Sequence, residues 1–107
     1  MASRLELHNE LIDILGTSNE QESRVYFQPP ESVKLKYRCI KYSLSGIDST
    51  HANDEIYRNI NRYEIIVIDP DPDSTVHLEI LKRFQMCRFD RIYTANNLNH
   101  FVLTLYY

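Results

Sequence analysis

The sequence of 107 residues is poor in the residue types that build common cofactor sites. It has only two glycines, so it contains no glycine-rich loop that could surround a phosphate group. Its two cysteines, Cys39 and Cys87, lie far apart without a Cys-x-x-Cys spacing, which argues against a zinc site and against a disulfide framework. We therefore expect reduced, buried thiols and no resident cofactor.

Two further absences narrow the class of protein. No apolar run approaches the ~20 residues that a membrane-spanning helix needs, and the first residues lack the apolar stretch of a secretory signal. The formal net charge of −3 and the isoelectric point near 5.7 are too mild for an independent nucleic-acid-binding domain, which is normally strongly basic. We expect neither a membrane segment nor autonomous DNA binding.

The residues that are present are typical of one small globular domain. The chain is 43% hydrophobic and 25% charged, and residues 1–107 fit a single core. A chain of this length buries only about 65% of its unfolded surface, so its stability margin is thin. Contacts with other subunits would therefore strengthen it.

The beginning of the chain predicts a helix over residues 3–15. Ser3 and Glu6 match the S-x-x-E capping box, in which both side chains bond otherwise unpaired backbone amides. Gly16 stands where a left-handed residue ends many helices. One face of this helix carries four apolar residues, namely Leu7, Leu11, Ile14 and Leu15.

The middle of the sequence predicts three strands. Val25 and Phe27 form a short strand that Pro29 and Pro30 end, because proline cannot donate to a ladder. Residues 35–44 alternate apolar with basic residues, but the apolar positions change parity after Ile40, as a β-bulge or a strand that changes its buried face would produce. Residues 48–54 are rich in turn formers and predict an exposed loop. Residues 57–68 predict the central strand of the sheet.

The last third of the sequence predicts a helix and a hairpin. A turn rich in aspartate and proline over residues 69–74 leads into a helix over residues 75–86. Strands over residues 89–94 and 101–106 flank an asparagine-rich loop. The resulting order, α-β-β-β-α-β-β, predicts an α+β domain with a mainly antiparallel sheet of about five strands and two packed helices.

Signals for catalysis or metal binding are weak. Asp69, Asp71 and Asp73 have the spacing of the first three ligands of an EF-hand loop, but Ser74 replaces the required glycine and Ile80 replaces the final glutamate. The four histidines fall in different elements without metal-ligand spacing, and no nucleophile, base and orienting residue form a triad. We predict a protein without a metal site and without catalytic residues.

Basic and aromatic residues are the best candidates for contacts. Residues 34–42 interleave lysine and arginine with tyrosine, which suits either a phosphate backbone or a solvated strand face. The acidic net charge favours the strand face, at which Lys36 and Arg38 would meet a neighbouring subunit. The eight tyrosines also suit protein contacts. The candidate contact residues are Lys36, Arg38, Tyr42, Tyr106 and Tyr107.

Taken together, these segments resemble the short tail-completion or tail-terminator proteins of tailed bacteriophages. The resemblance rests on the leucine-rich first helix and on Arg-Val-Tyr-Phe-Gln-Pro-Pro at residues 24–30. It includes the strand from Lys36 to Tyr42 and the strand that ends at residues 65–69. It extends to Cys-Arg-Phe-Asp-Arg at residues 87–91 and Asn-Leu-Asn-His at residues 97–100, and so covers nearly the whole chain.

The resemblance implies an α+β subunit that assembles into a ring of about six copies at the head-proximal end of the tail tube. Such a ring stops polymerisation of the tube, joins the tail to the head and lets DNA pass through its lumen without specific binding. Its partners would be the tail-tube protein and the head-side connector, in the virion or, during assembly, in the host cytoplasm. The alternative is a non-viral adaptor or regulatory module that binds a protein as a monomer or dimer.

Overall fold

The fold is an α+β domain with the predicted order of elements. A computed structural model describes residues 4–15, 24–29, 38–52 and 55–107, with side chains except between positions 48 and 59. The elements in chain order are α1 (Arg4–Leu15), β1 (Val25–Phe27), β2 (Cys39–Ala52), β3 (Glu55–Asp69), α2 (Val76–Arg83), β4 (Cys87–Ala95) and β5 (Leu98–Tyr106).

All five strands belong to one sheet with the order β1-β2-β3-β5-β4. Every pairing is antiparallel except that of β1 with β2, which is parallel. The predicted central position of the strand over residues 57–68 is confirmed, since β3 is the third strand of the five. β1 and β4 occupy the two edges.

Both helices contribute to a core on one face of the sheet. Leu7 and Leu11 of α1 are fully buried, and Ile80 of α2 is fully buried beside them. The sheet contributes alternate residues, because successive side chains of a strand point to opposite faces. From the strands, the core takes Val25, Ile40, Tyr42, Tyr63, Ile65, Val67, Phe101, Leu103 and Leu105.

The loop predicted over residues 48–54 is wrong for residues 48–52, and residues 53 and 54 lie outside the described residues. β2 continues to Ala52 and pairs with β3 as far as the Ala52–Glu55 pair. β5 pairs with β3 only between Arg62 and Asp69, so residues 46–52 and 55–61 form a two-stranded extension, which we call the arm. Turn-forming residues are strand residues here because a long antiparallel partner supplies their backbone hydrogen bonds, which overrides local propensity.

The change in apolar parity near Ile40 does not mark a bulge at that point. Cys39 and Ile40 are both fully buried, so both faces of β2 are covered where it begins. The register with β3 shifts later, between Leu44 and Gly46. A Cβ atom at Gly46 would meet the end of the Arg62 guanidinium, so a larger residue there would require that flexible side chain to move.

The remaining boundaries differ from those that the sequence predicts, because α2 is shorter and β4 and β5 are longer. α2 ends at Arg83, because Phe84 already has an extended backbone. β4 and β5 start earlier than predicted and are joined by Asn96 and Asn97, with φ angles of 53° and 62°. Positive φ at both central residues is typical of a type I′ hairpin turn. The predicted caps at Ser3 and Gly16 lie outside the described residues.

Candidate assembly surface

Arg38 forms an ion pair that organises the fold. Its Nε donates to Oδ2 of Asp69 at 2.5 Å, and 48% of the Arg38 side chain remains exposed against 2% for Asp69. Burial alone would raise the pKa of Asp69, but hydrogen bonds from the Asp71 amide, the Ser74 hydroxyl and Arg38 outweigh it and lower that pKa. Arg38 therefore supports the turn after β3 in addition to any surface role. Lys36, the other predicted basic contact, lies outside the described residues.

Tyr42 lies beneath α1 and not on the surface. It is 1% exposed, and its hydroxyl accepts from Arg4 Nη1 at 3.3 Å and lies 2.6 Å from His8 Nδ1. Because the Tyr42 hydroxyl oxygen accepts a hydrogen bond from Arg4, the hydroxyl proton is available to His8. Nδ1 of neutral His8 then accepts this proton as a hydrogen bond. Burial raises the pKa of Tyr42, and burial together with Arg4 lowers the pKa of His8. This burial removes Tyr42 from the candidate contact residues.

Tyr106 and Tyr107 are hydrogen-bonded to other parts of the domain. The Tyr107 hydroxyl donates to Glu10 Oε2 at 2.9 Å, and its ring meets Phe84 edge-on at 5.8 Å. Burial and the neighbouring Glu10 carboxylate raise the pKa of Tyr107 to about 12. The Tyr106 amide donates to the Met86 carbonyl at 2.9 Å. Both rings are half-buried, so only part of each remains open to a neighbour.

Exposed apolar side chains lie at the β4 edge, where the sequence predicts no contact. Among the described strands β4 pairs only with β5, so its other side presents backbone donors and acceptors. Phe89 is 42% exposed and Ile92 is 55% exposed. A register shift between Phe89 and Arg91 keeps both apolar side chains on the helix-bearing face. We define the edge patch as Phe89 and Ile92; Tyr93 is also exposed, but it pairs with His100 and therefore lies on the opposite face of β4.

The elements next to the edge patch carry basic residues. Lys82 and Arg83 lie in the last turn of α2, whereas Arg88 and Arg91 lie on β4 and, because they pair with Thr104 and Val102, on the face opposite the edge patch. Arg91 bonds its neighbour Asp90 at 2.8 Å, and Arg83 bonds Asp13 of α1 at 2.8 Å. These pairs are solvent-exposed, so water and salt screen them and they contribute little to stability. β4 therefore presents apolar side chains on the helix-bearing face and arginines on the opposite face.

A second exposed apolar surface lies at the base of the arm, toward the opposite edge of the sheet. Leu44 is 42% exposed and Ile47 is 57% exposed, on the same face as the helices. β1 pairs with β2 only up to Tyr42, and the Gln28 side chain accepts from the Leu44 amide at 3.1 Å. Beyond Leu44, the described part of β2 pairs only with β3.

The described residues contain no group of three histidine, cysteine, aspartate or glutamate side chains placed to hold a metal ion. Burial raises the pKa of Cys39 to about 12 and of Cys87 to about 11, so both thiols stay protonated and unreactive at neutral pH. Neither described helix is long and apolar enough to cross a membrane.

The exposed β4 edge was not predictable from a short sequence pattern. Residues 87–95 read as an ordinary strand, and only the topology shows that the strand lies at an edge. The one available signal was Phe89 and Ile92 three residues apart, which a regular strand would place on opposite faces. Comparisons of the chain with protein-family models, with curated proteins and with solved structures find no match.

Proposed function

We propose that this protein is a structural bacteriophage protein that forms a ring at the head-proximal end of the tail tube. The ring ends tube polymerisation and joins the tail to the head. The single observation that carries this proposal is the presence of two different open strand edges, β4 and the arm, toward opposite sides of one sheet.

Two different surfaces are what a ring requires. A closed ring with one kind of subunit forms by head-to-tail contacts, in which one patch of each copy binds a different patch of the next. The edge patch and the base of the arm are such a pair, since both expose apolar side chains and neither resembles the other. A two-stranded extension is also marginally stable alone in water, so the arm gains stability when a neighbour covers it.

The partners follow from this assembly. One rim of the ring would bind the tail-tube protein, the other would bind the head-side connector, and DNA would pass through the lumen without specific binding. The mild net charge of −3 supports passage of DNA through the ring without tight binding, because strong retention of DNA needs many contacts between basic side chains and phosphates.

A second candidate function is a protein-binding adaptor that acts as a monomer or dimer. The observation that favours it is the same β4 edge, because an exposed antiparallel edge can accept an extended peptide as an additional strand. In that case Phe89 and Ile92 would contact side chains of the peptide.

Electron microscopy of the purified protein, alone and mixed with the tail-tube protein encoded near it, tests the proposal. We expect rings with a central opening and tubes that carry one ring at an end and stop growing. Rings that leave tube length unchanged would contradict the terminator function. A monomer or compact dimer that binds no tube would favour the adaptor.

A further inference from the structure

We propose that the arm of one copy pairs with β4 of the next copy, so that a single antiparallel sheet continues from subunit to subunit. This inference rests on the proposed ring and specifies its contact. The second copy supplies residues 46–52 of β2 as an additional strand beside β4.

The two edges have compatible hydrogen-bonding groups. β4 spans Cys87–Ala95, pairs with β5 on one side and has no described strand on the other. On β2, the Gln28 side chain occupies the Leu44 amide, so the open stretch begins beyond Leu44. An open edge of this length is a template for pairing with another chain.

Strand direction favours the same arrangement. β2 runs opposite to β3, β3 runs opposite to β5, and β5 runs opposite to β4, so β4 runs opposite to β2. Copies repeated side by side in one orientation therefore bring β4 against an antiparallel β2. Antiparallel addition is the more stable type of pairing, and it needs no inversion of the subunit.

The exposed side chains lie on matching faces. Ile47 pairs with Asn61, and Asn61 donates to the Tyr63 hydroxyl on the helix-bearing face at 3.5 Å. Ile92 pairs with Phe101, which belongs to the core on that same face. A continuous sheet would thus gather Ile47 of one copy with Phe89 and Ile92 of the next on one side and remove them from water.

Charge also distinguishes the two surfaces. The arm sequence carries Asp48 and Glu55 against one arginine, Arg58. The segment from Lys82 to Arg91 carries four basic residues against one acidic residue, Asp90. Three of the four basic residues already have acidic partners, since Lys82 pairs with Glu79, Arg83 with Asp13 and Arg91 with Asp90. Charge therefore adds only a small preference for the arm over a second copy of β4.

Cysteine cross-linking tests the contact directly. In a Cys87→Ala background, the double variant Ile47→Cys/Ile92→Cys is treated with a short bis-maleimide and separated on a denaturing gel. We expect a ladder that ends at the number of subunits in the ring. A mixture of the two single variants should give dimers only, and each single variant alone should give monomers. Ile47→Cys/Leu5→Cys is the matched control, because Leu5 is 60% exposed but lies on α1, and it should give no ladder.

Three results would overturn the inference. Cross-linked dimers from Ile92→Cys alone would show β4 pairing with itself. A protein that sediments as a ring but gives no ladder would reject this contact and leave the ring intact. A protein that sediments as a monomer would reject both the contact and the ring.

A full ladder in a protein that never shortens tail tubes would support the contact and reject only the terminator function.

Discussion

At the residue scale, Asp69 connects three separate segments through one almost completely buried residue. Its carboxylate accepts from Arg38 ahead of β2 and from the Asp71 amide at 2.9 Å in the following turn. Its backbone carbonyl accepts from Asn99 Nδ2 of β5 at 3.2 Å. The carboxylate is therefore charged and paired in the folded state.

Replacement of Asp69 by Asn should lower the free energy of unfolding by about 2 kcal/mol at pH 7, because it removes charge-assisted hydrogen bonds. The pKa of Asp69 is lowered on folding, so its stabilising effect is complete above the ordinary value of about 3.9 and is lost as pH falls through the folded value. The difference between the wild type and Asp69→Asn should thus shrink below about pH 4.

Urea unfolding at pH 7 and pH 3 measures this difference. Asp73→Asn is the matched control, since Asp73 lies in the same turn and is exposed, and it should change stability by less than about 0.5 kcal/mol. Equal effects of the two substitutions, or a loss of stability for Asp69→Asn that persists at pH 3, would contradict this role of the carboxylate.

Tyr42→Phe tests the hydrogen bonds beneath α1. The change removes the hydroxyl that bonds Arg4 and His8 without opening a cavity, so we expect a loss of about 1 kcal/mol. The pKa of His8, lowered by burial and by Arg4 in the wild type, should rise toward its usual value when its hydroxyl donor is lost. NMR titration of His8 measures this shift, with Tyr93→Phe as a control at an exposed tyrosine. An unchanged His8 pKa would argue against the His8–Tyr42 bond.

At the scale of elements, the sequence predicted the type and order of every helix and strand that the structure describes. The helical spacing of Leu7 and Leu11 and the alternation of Ile65 and Val67 are local patterns, and both pairs are fully buried. Such patterns are readable because each element must bury one face. The asparagine-rich segment was likewise correctly predicted as the connection of a hairpin, although the turn is confined to Asn96 and Asn97.

The extent of the arm and the contact surface were not readable, because both depend on pairing between distant segments. Residues 48–54 contain turn formers, and only the partner strand β3 makes most of them extended. Tyr42 has the composition of a contact residue but is covered by α1. Residues of β4 look ordinary, and their exposure follows from the strand order alone.

Leu11→Ala tests the packing of α1 on the sheet. Leu11 is fully buried, so its truncation removes apolar contacts and leaves a cavity beside the core. We expect a loss of about 2–5 kcal/mol, a large part of the stability of so small a domain. Denaturant unfolding followed by circular dichroism measures it. Leu5→Ala on the exposed face of the same helix is the control. If Leu11→Ala and Leu5→Ala changed the stability by equally small amounts, α1 would not pack as described.

At the scale of the whole molecule, Arg38 links the stability of the subunit to its predicted surface role. Arg38→Glu would place a second carboxylate beside Asp69, so it would destabilise the subunit itself. It therefore cannot separate assembly from folding. Ile92 can, because it is more than half exposed and its removal from the surface costs the isolated subunit little.

The most direct test of the account is sedimentation velocity of the wild type, Ile92→Lys and Leu5→Lys at equal concentrations. A lysine on an exposed edge strand opposes pairing, whereas Leu5 is exposed on α1 and belongs neither to β4 nor to the arm. We predict a single ring-sized species for the wild type and for Leu5→Lys, and a folded monomer for Ile92→Lys. A wild type that sediments as a monomer or dimer, or a ring that persists unchanged in Ile92→Lys, would contradict head-to-tail assembly through the β4 edge.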